Sequence, residues 1–218
     1  ITWNIVTTQR SGKPNTYFVH EGATVSRRFE TNRPASNALL ATTTRSGPST
    51  NNSYVLYDGY GNLLQQTVNV IDANNADIFS ETITNTYMDA PTDTKWHLGR
   101  LATSQVTKAA PASPGLSRSS SFSYHPTTGL LVQEVIEPDH ATLRRQKDYT
   151  HDGYGNITYS VLSTPGYGAR STGTEYTSDG RFVSAVANAK GHRETRTYDP
   201  LLGNLLSQTG PNGITTHY

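Results

Sequence analysis

A short phrase returns along this chain at intervals and limits what it can fold into. Tyr57-Asp58-Gly59-Tyr60-Gly61-Asn62-Leu63 is matched by His151-Asp152-Gly153-Tyr154-Gly155-Asn156-Ile157. A variant longer by one residue appears as Tyr124-His125-Pro126-Thr127-Thr128-Gly129-Leu130 and Tyr198-Asp199-Pro200-Leu201-Leu202-Gly203-Asn204. Two looser copies are Trp96-His97-Leu98-Gly99-Arg100-Leu101 and Tyr176-Thr177-Ser178-Asp179-Gly180-Arg181-Phe182. The glycines at 61, 99, 129, 155, 180 and 203 follow one another at spacings of 38, 30, 26, 25 and 23 residues. Irregular recurrence of one supersecondary device is the mark of a repeat architecture.

Each residue type has a mechanical reason to be there. An aspartate opens a turn by accepting hydrogen bonds from amides two or three residues on. Pro126 and Pro200 stand where a fixed φ suits the first central position. The glycine takes a positive φ without a Cβ clash, so the phrase fits a type I turn closed by a glycine bulge. The aromatic before the turn ends one strand, and the aliphatic after it begins the next.

Between the turns the chain reads as strands. Leu64, Gln66, Val68 and Val70 alternate with Gln65, Thr67 and Asn69, and Ile157, Tyr159 and Val161 alternate with Thr158 and Ser160. Leu130, Val132, Glu134 and Ile136 form a third series, with a glutamate on the apolar side. A period of two is the strand signature. Polar residues on both faces suit a sheet wetted on both sides. The 32 threonines and 13 tyrosines favour strands, and an apolar fraction of 33% is low for a packed core. Helical signals are confined to Ala141–Asp148, long enough for two turns. Ser46–Ser49, Ala109–Gly115, Asp72–Asp77 and Asp89–Asp93 read as loops or hairpin tips. The expected class is all-β, consecutive antiparallel hairpins in one continuous, curved or spiralling sheet. Residues 1–50 form a β-rich segment without a clear copy, and residues 51–218 form the hairpin array, cut in mid-repeat.

Charge and composition exclude several functions. Eighteen basic residues balance 17 acidic ones, which speaks against a nucleic-acid partner. No apolar run approaches the ~18 residues of a membrane helix. There is no cysteine, hence no disulfide or thiolate chemistry. The chain begins with isoleucine and carries no signal-peptide pattern, so it is expected to be a piece of a longer protein whose export signal lies elsewhere.

No nucleophile elbow, P-loop or His-Glu-x-x-His stretch is present, and no cofactor site is expected. The seven histidines lack metal-ligand spacing. Asp72, Asn74 and Asp77 lack the glycine and distal glutamate of a calcium loop. Asp58, Asp152 and Asp199 could be paired as glycosidase carboxylates, but one motif position in every copy argues that each serves its own turn.

The Tyr-Asp-x-x-Gly pattern resembles the YD repeats of the Rhs family, which includes bacterial Rhs proteins, Tc toxin B components and animal teneurins. The likeness covers roughly residues 54–218. It implies a ribbon of hairpins spiralling into a hollow shell that encloses a toxic or other cargo polypeptide. It further implies a non-catalytic structural role, secretion or display on a bacterial surface, and the remaining parent chain and its cargo as partners. The structural turn residues would then be Tyr57, Asp58, Gly61, Trp96, Gly99, Tyr124, Gly129, Asp152, Gly155, Tyr176, Gly180, Tyr198, Asp199 and Gly203. The sequence departs from the family at Asn62, Asn156 and Asn204, where arginine is frequent, and lacks the family's terminal core segment. The isolated piece is expected to self-associate through unpaired strand edges. The competing readings are a surface array that binds carbohydrate or protein through its tyrosines, and, less favoured, a glycoside hydrolase.

Overall fold

The computed structural model describes residues 2–9, 17–29, 39–46, 49–50, 53–54, 57–88 and 97–218. Every regular element among them is a β-strand, as the turn-rich, threonine-rich sequence requires. The chain divides into two compact units, Ile1–Ser121 and Phe122–Tyr218.

The first unit holds β1 (Thr2–Gln9), β2 (Tyr17–Phe29), β3 (Leu39–Ser46), β4 (Ser49–Thr50), β5 (Ser53–Tyr54), β6 (Gln65–Asp72), β7 (Asp77–Tyr87), β8 (Leu101–Ala109) and most of β9 (Leu116–Tyr124). Its strands pair antiparallel in the order β1-β2-β3-β6-β7-β8-β9, while β4 and β5 form a separate two-stranded hairpin. Residues 1–50 thus supply three full strands to this sheet.

The second unit holds β10 (Leu131–Ile136), β11 (Arg145–His151), β12 (Ile157–Thr164), β13 (Tyr167–Tyr176), β14 (Val183–Asn188), β15 (Arg193–Tyr198), β16 (Leu205–Thr209) and β17 (Thr215–His217). Each strand pairs antiparallel with the next. The stretch Ala141–Asp148, long enough for two helical turns, is instead a turn running into β11. Gln133 faces Asp148 and Glu134 faces Lys147 across the β10–β11 ladder, and that pairing overrides a weak local helix preference.

The strand alternation is interrupted at defined points. Where the hairpins lead into the turns of Gly99, Gly155, Gly180 and Gly203, the register slips by one residue. Thr86 faces Thr103 but Tyr87 faces Leu101, and Thr150 faces Tyr159 but His151 faces Ile157. The same slip separates Glu175 from Tyr176 and Thr197 from Tyr198. A bulge of this kind places one extra residue on the outgoing strand, such as Thr158. Because the side-chain period is two, each bulge exchanges the faces of the residues beyond it.

The sheet is held laterally more than from above or below. Among the described apolar side chains only Val135 and Ala185 are fully buried. Directly opposed hydroxyls bridge the strands in their place: Thr67 with Thr82 at 3.2 Å, Thr86 with Thr103 at 2.6 Å and Thr107 with Ser117 at 3.1 Å in the first unit. Thr197 with Ser207 at 2.7 Å and Thr209 with Thr215 at 2.8 Å do the same in the second. Each such pair contributes roughly 0.2–1 kcal/mol, which gives the abundant threonine a structural use. Glu134 sits among aliphatics because its carboxylate accepts the Tyr149 hydroxyl at 3.1 Å. Burial and that carboxylate together raise the Tyr149 phenol above its ordinary pKa.

Candidate functional site: a ladder of turns

All six motif glycines have positive φ: 89° at Gly61, 74° at Gly99, 72° at Gly129, 91° at Gly155, 71° at Gly180 and 73° at Gly203. In the first unit the Asp58 carboxylate accepts three hydrogen bonds. Its Oδ1 takes the amides of Tyr60 and Asn62, each at 2.8 Å, and its Oδ2 takes the Asn62 side-chain amide at 2.8 Å. Gly61 N–H donates to the Asp58 carbonyl at 3.1 Å and Asp58 N–H to the Asn62 carbonyl at 2.8 Å. Tyr57 bridges Leu63 across the tip. This is the type I turn with a glycine bulge.

In the second unit Asp152 repeats the arrangement, with Tyr154 and Asn156 amides at 2.9 Å and the Asn156 side chain at 3.1 Å. The asparagine after the motif glycine therefore has a place in the turn, clamping the aspartate that opens it.

The proline-containing copies close differently. Gly129 N–H reaches back four residues to the His125 carbonyl at 2.8 Å, and Gly203 N–H to the Asp199 carbonyl at 2.9 Å. The extra residue converts the turn to the i→i+4 kind, which the single turn type expected from sequence does not cover. The capping acceptor stays in place. Asp199 Oδ1 takes the amides of Leu201 and Leu202 at 2.8 and 2.7 Å, and His125 Nδ1 takes those of Thr127 and Thr128 at 3.3 and 3.2 Å. In the remaining copy of this unit Thr177 Oγ1 takes the Phe182 amide at 3.1 Å and donates to Asp179.

These bonds leave an electrostatic trace. Desolvation alone would raise the Asp152 carboxyl, but donors from Asn156, Tyr154 and Gly155 outweigh it and hold its pKa below the ordinary range. Asp199 is lowered by the amides of Leu202 and Leu201. Asp179 is held at about 2, first by the Thr177 hydroxyl and then by the Arg181 side chain and amide. The carboxylates of these turns are occupied as backbone acceptors.

Successive turns also touch. In the first unit the Tyr87 hydroxyl donates to the Leu63 carbonyl at 3.0 Å, and the Asn85 amide shares that acceptor. In the second, the Tyr176 hydroxyl donates to the Ile157 carbonyl at 3.3 Å and the Tyr198 hydroxyl to the Val183 carbonyl at 3.0 Å. In each case the tyrosine that ends one hairpin arm reaches the residue just past the preceding motif turn. Phe182 and Tyr198 rings stack with centroids 4.9 Å apart. A Cβ added at Gly155 would meet Leu130 at 3.6 Å, and one at Gly99 would meet the Asn62 side chain at 2.9 Å.

The structure therefore arranges Asp58, Gly61, Gly99 and Tyr57 along one unit's rim. It arranges Tyr124, Gly129, Asp152, Gly155, Tyr176, Gly180, Tyr198, Asp199 and Gly203 along the other's. Trp96 lies outside the described residues. The strand position that motif tyrosines hold elsewhere is filled in the Gly99 copy by Tyr87, opposite Leu101, with Met88 N–H bonded to the Arg100 carbonyl at 2.9 Å. Sequence reading missed Tyr87 because a polar insertion separates it from its glycine. The Asp89–Asp93 stretch, expected to be an insertion or hairpin tip, is the available signal, and it too lies outside the described residues. Among the described residues no cluster of metal-ligating side chains occurs, and no helix is long and apolar enough to cross a membrane.

Comparison with family models and with curated proteins finds no match. Among solved structures 22 chains match. One, a crystal structure of TcdB2-TccC3-TEV, is 15% identical over 98% of this chain, with a TM-score of 0.31. The present chain spans 15% of that chain's length.

Proposed function

We propose that this chain is a non-catalytic wall segment of a Rhs/YD-repeat shell, secreted or displayed at a bacterial surface, that encloses a toxin or other cargo polypeptide. The observation that carries this reading is the rim. Tyr87, Tyr176 and Tyr198 and the glycines at 99, 155, 180 and 203 each meet the preceding turn, so rigidity comes from neighbour-to-neighbour contacts within one layer. A wall needs that property, because one of its faces must stay free for whatever it surrounds. A catalytic carboxylate pair would occur once, whereas Asp58, Asp152 and Asp199 recur at one motif position and two further turns use His125 and Thr177 there. The parent chain continues the wall in this proposal, and curvature into a closed vessel is part of it.

The test is protease protection in the intact parent protein. The proposal expects a polypeptide that survives digestion while the native protein is intact and is degraded once mild denaturant opens it. A parent protein with no protected polypeptide, whose particle lacks an internal void by electron microscopy, would overturn the shell. A solid, open particle that retains saccharide or protein ligands on its tyrosines would favour the surface array.

A further inference from the structure

The ends of the strands away from the motif turns carry a feature that a wall does not require. Alternation along β11–β13 places Arg145 and Lys147 on the face that holds Leu162, Thr164, Tyr167 and Arg170. Lys147 stands opposite Leu162, Leu162 opposite Arg170, and Thr164 opposite Tyr167. Arg145, Thr164, Tyr167 and Arg170 line a cleft of about 250 Å³. A second cleft, of about 700 Å³, lies toward β14, shares Tyr167 and Arg170, and adds Lys190. No carboxylate lines either one.

Charge pairing elsewhere in this unit sharpens the contrast. Arg181 is bonded to Asp179, Arg193 to Glu175 and Arg196 to Glu194, while Arg144 donates to Gln146. Among the described residues Arg145 and Arg170 make no ion pair and no side-chain hydrogen bond. The carboxylate across the ladder from Lys147, that of Glu134, is engaged by the Tyr149 hydroxyl, and the Lys147 ammonium lies 5.1 Å from the Tyr149 ring centroid. Neighbouring unpaired cations repel one another and concentrate positive potential in the clefts. An anion relieves both effects.

The lining selects among anions. A guanidinium is a planar fork matched to carboxylate and phosphate alike, so the groups beside it make the choice. Tyr167 is 76% exposed and offers a flat apolar ring, while Thr172 brings a hydroxyl to the larger cleft, where the Asn188 side chain is taken up by the amides of Lys190 and His192. A ring to stack on, hydrogen-bonding groups around it and a carboxylate fork together suit a pyranose bearing an acid. Nucleic acid calls for cations spread along a stripe, and here they are confined to one rim.

We propose that the β12–β13 rim binds an acidic saccharide, its carboxylate on Arg170 and Arg145 and its sugar ring on Tyr167. This site stands or falls independently of the shell. The test is an amide-NMR titration of the 218-residue chain with three probes. These are a glucuronate-containing tetrasaccharide, the same oligosaccharide with its carboxylates reduced to alcohols, and sodium acetate. The acidic tetrasaccharide is expected to shift Gly166–Arg170 and Ala189–Lys190 saturably, with a Kd of about 1 mM. Arg170→Gln and carboxyl reduction should each weaken binding at least about tenfold. Tyr167→Ala should weaken the saccharide and leave acetate unchanged. Both substituted residues are exposed, so unchanged shifts elsewhere certify the fold. Equal binding of the reduced saccharide, acetate binding as tightly as the saccharide, or no saturable shift at ~10 mM would each overturn the site.

Discussion

The Phe182 ring occupies the space into which a side chain at Gly203 would grow: a Cβ there would stand 2.5 Å from the ring's Cζ. Gly180 has the same relation to the Tyr154 ring, again at 2.5 Å. One turn is thus seated on an aromatic of the turn before it, and glycine serves both its own backbone and its neighbour.

Two separable penalties follow for alanine. At Gly166 and Gly213, where φ is positive and nothing lies within 4 Å of an added Cβ, the substitution costs only the left-handed conformation, about 1–2 kcal/mol. At Gly180 and Gly203 the clash adds a further ~1–3 kcal/mol. Urea midpoints for the four single variants should separate into these two pairs. Coincidence of all four would mean that the aromatic seat contributes nothing.

Removing only the lateral hydrogen bond is gentler. Tyr198→Phe keeps the stack on Phe182 and deletes the donor to the Val183 carbonyl, a net loss of about 1 kcal/mol. Tyr167→Phe, which alters an exposed ring, should leave the unfolding midpoint unchanged in the same assay.

Acid should loosen the rim of the second unit. Asp152, Asp179 and Asp199 are more acidic folded than the ordinary carboxylate value of 3.8. Each therefore contributes its full stabilisation above about pH 4 and loses it as pH falls through its folded value, about 2 for Asp179. Circular dichroism melts between pH 5 and ~2 should show a falling Tm, and Asp179→Asn should flatten the most acidic part of that decline.

Ala112 offers the opposite experiment. Its φ of 58° lies in the left-handed region, at a cost of about 1–2 kcal/mol for a residue with a Cβ. Glycine removes that cost but adds about 0.5–1 kcal/mol of backbone entropy. Ala112→Gly is expected to stabilise the chain slightly, by about 0.5–1 kcal/mol in urea.

What could be read from the residues follows the range of the forces involved. Turn chemistry is local, so Asp58 with Gly61 and Asp152 with Gly155 announce themselves in the sequence. Contacts between turns join residues well apart in sequence, 15 positions for Tyr198 with Val183 and 26 for Gly180 with Tyr154. Nothing in either copy alone specifies its neighbour. The bulge at Ile157-Thr158-Tyr159 lies inside a stretch whose alternation reads as unbroken, and the polar insertion hid Tyr87 from Gly99. The two unpaired arginines of the β12–β13 rim were invisible for the same reason, since only strand register places Arg145 beside the β12–β13 pair.

The hydroxyl pairs between strands have a thermal consequence. Unfolding this sheet releases little oil-like area into water, and so changes the heat capacity less than the ~12–15 cal/mol/K per residue of ordinary domains. Calorimetry should find a shallow dome of free energy against temperature. Such a sheet would resist unfolding almost evenly over a wide span of temperature.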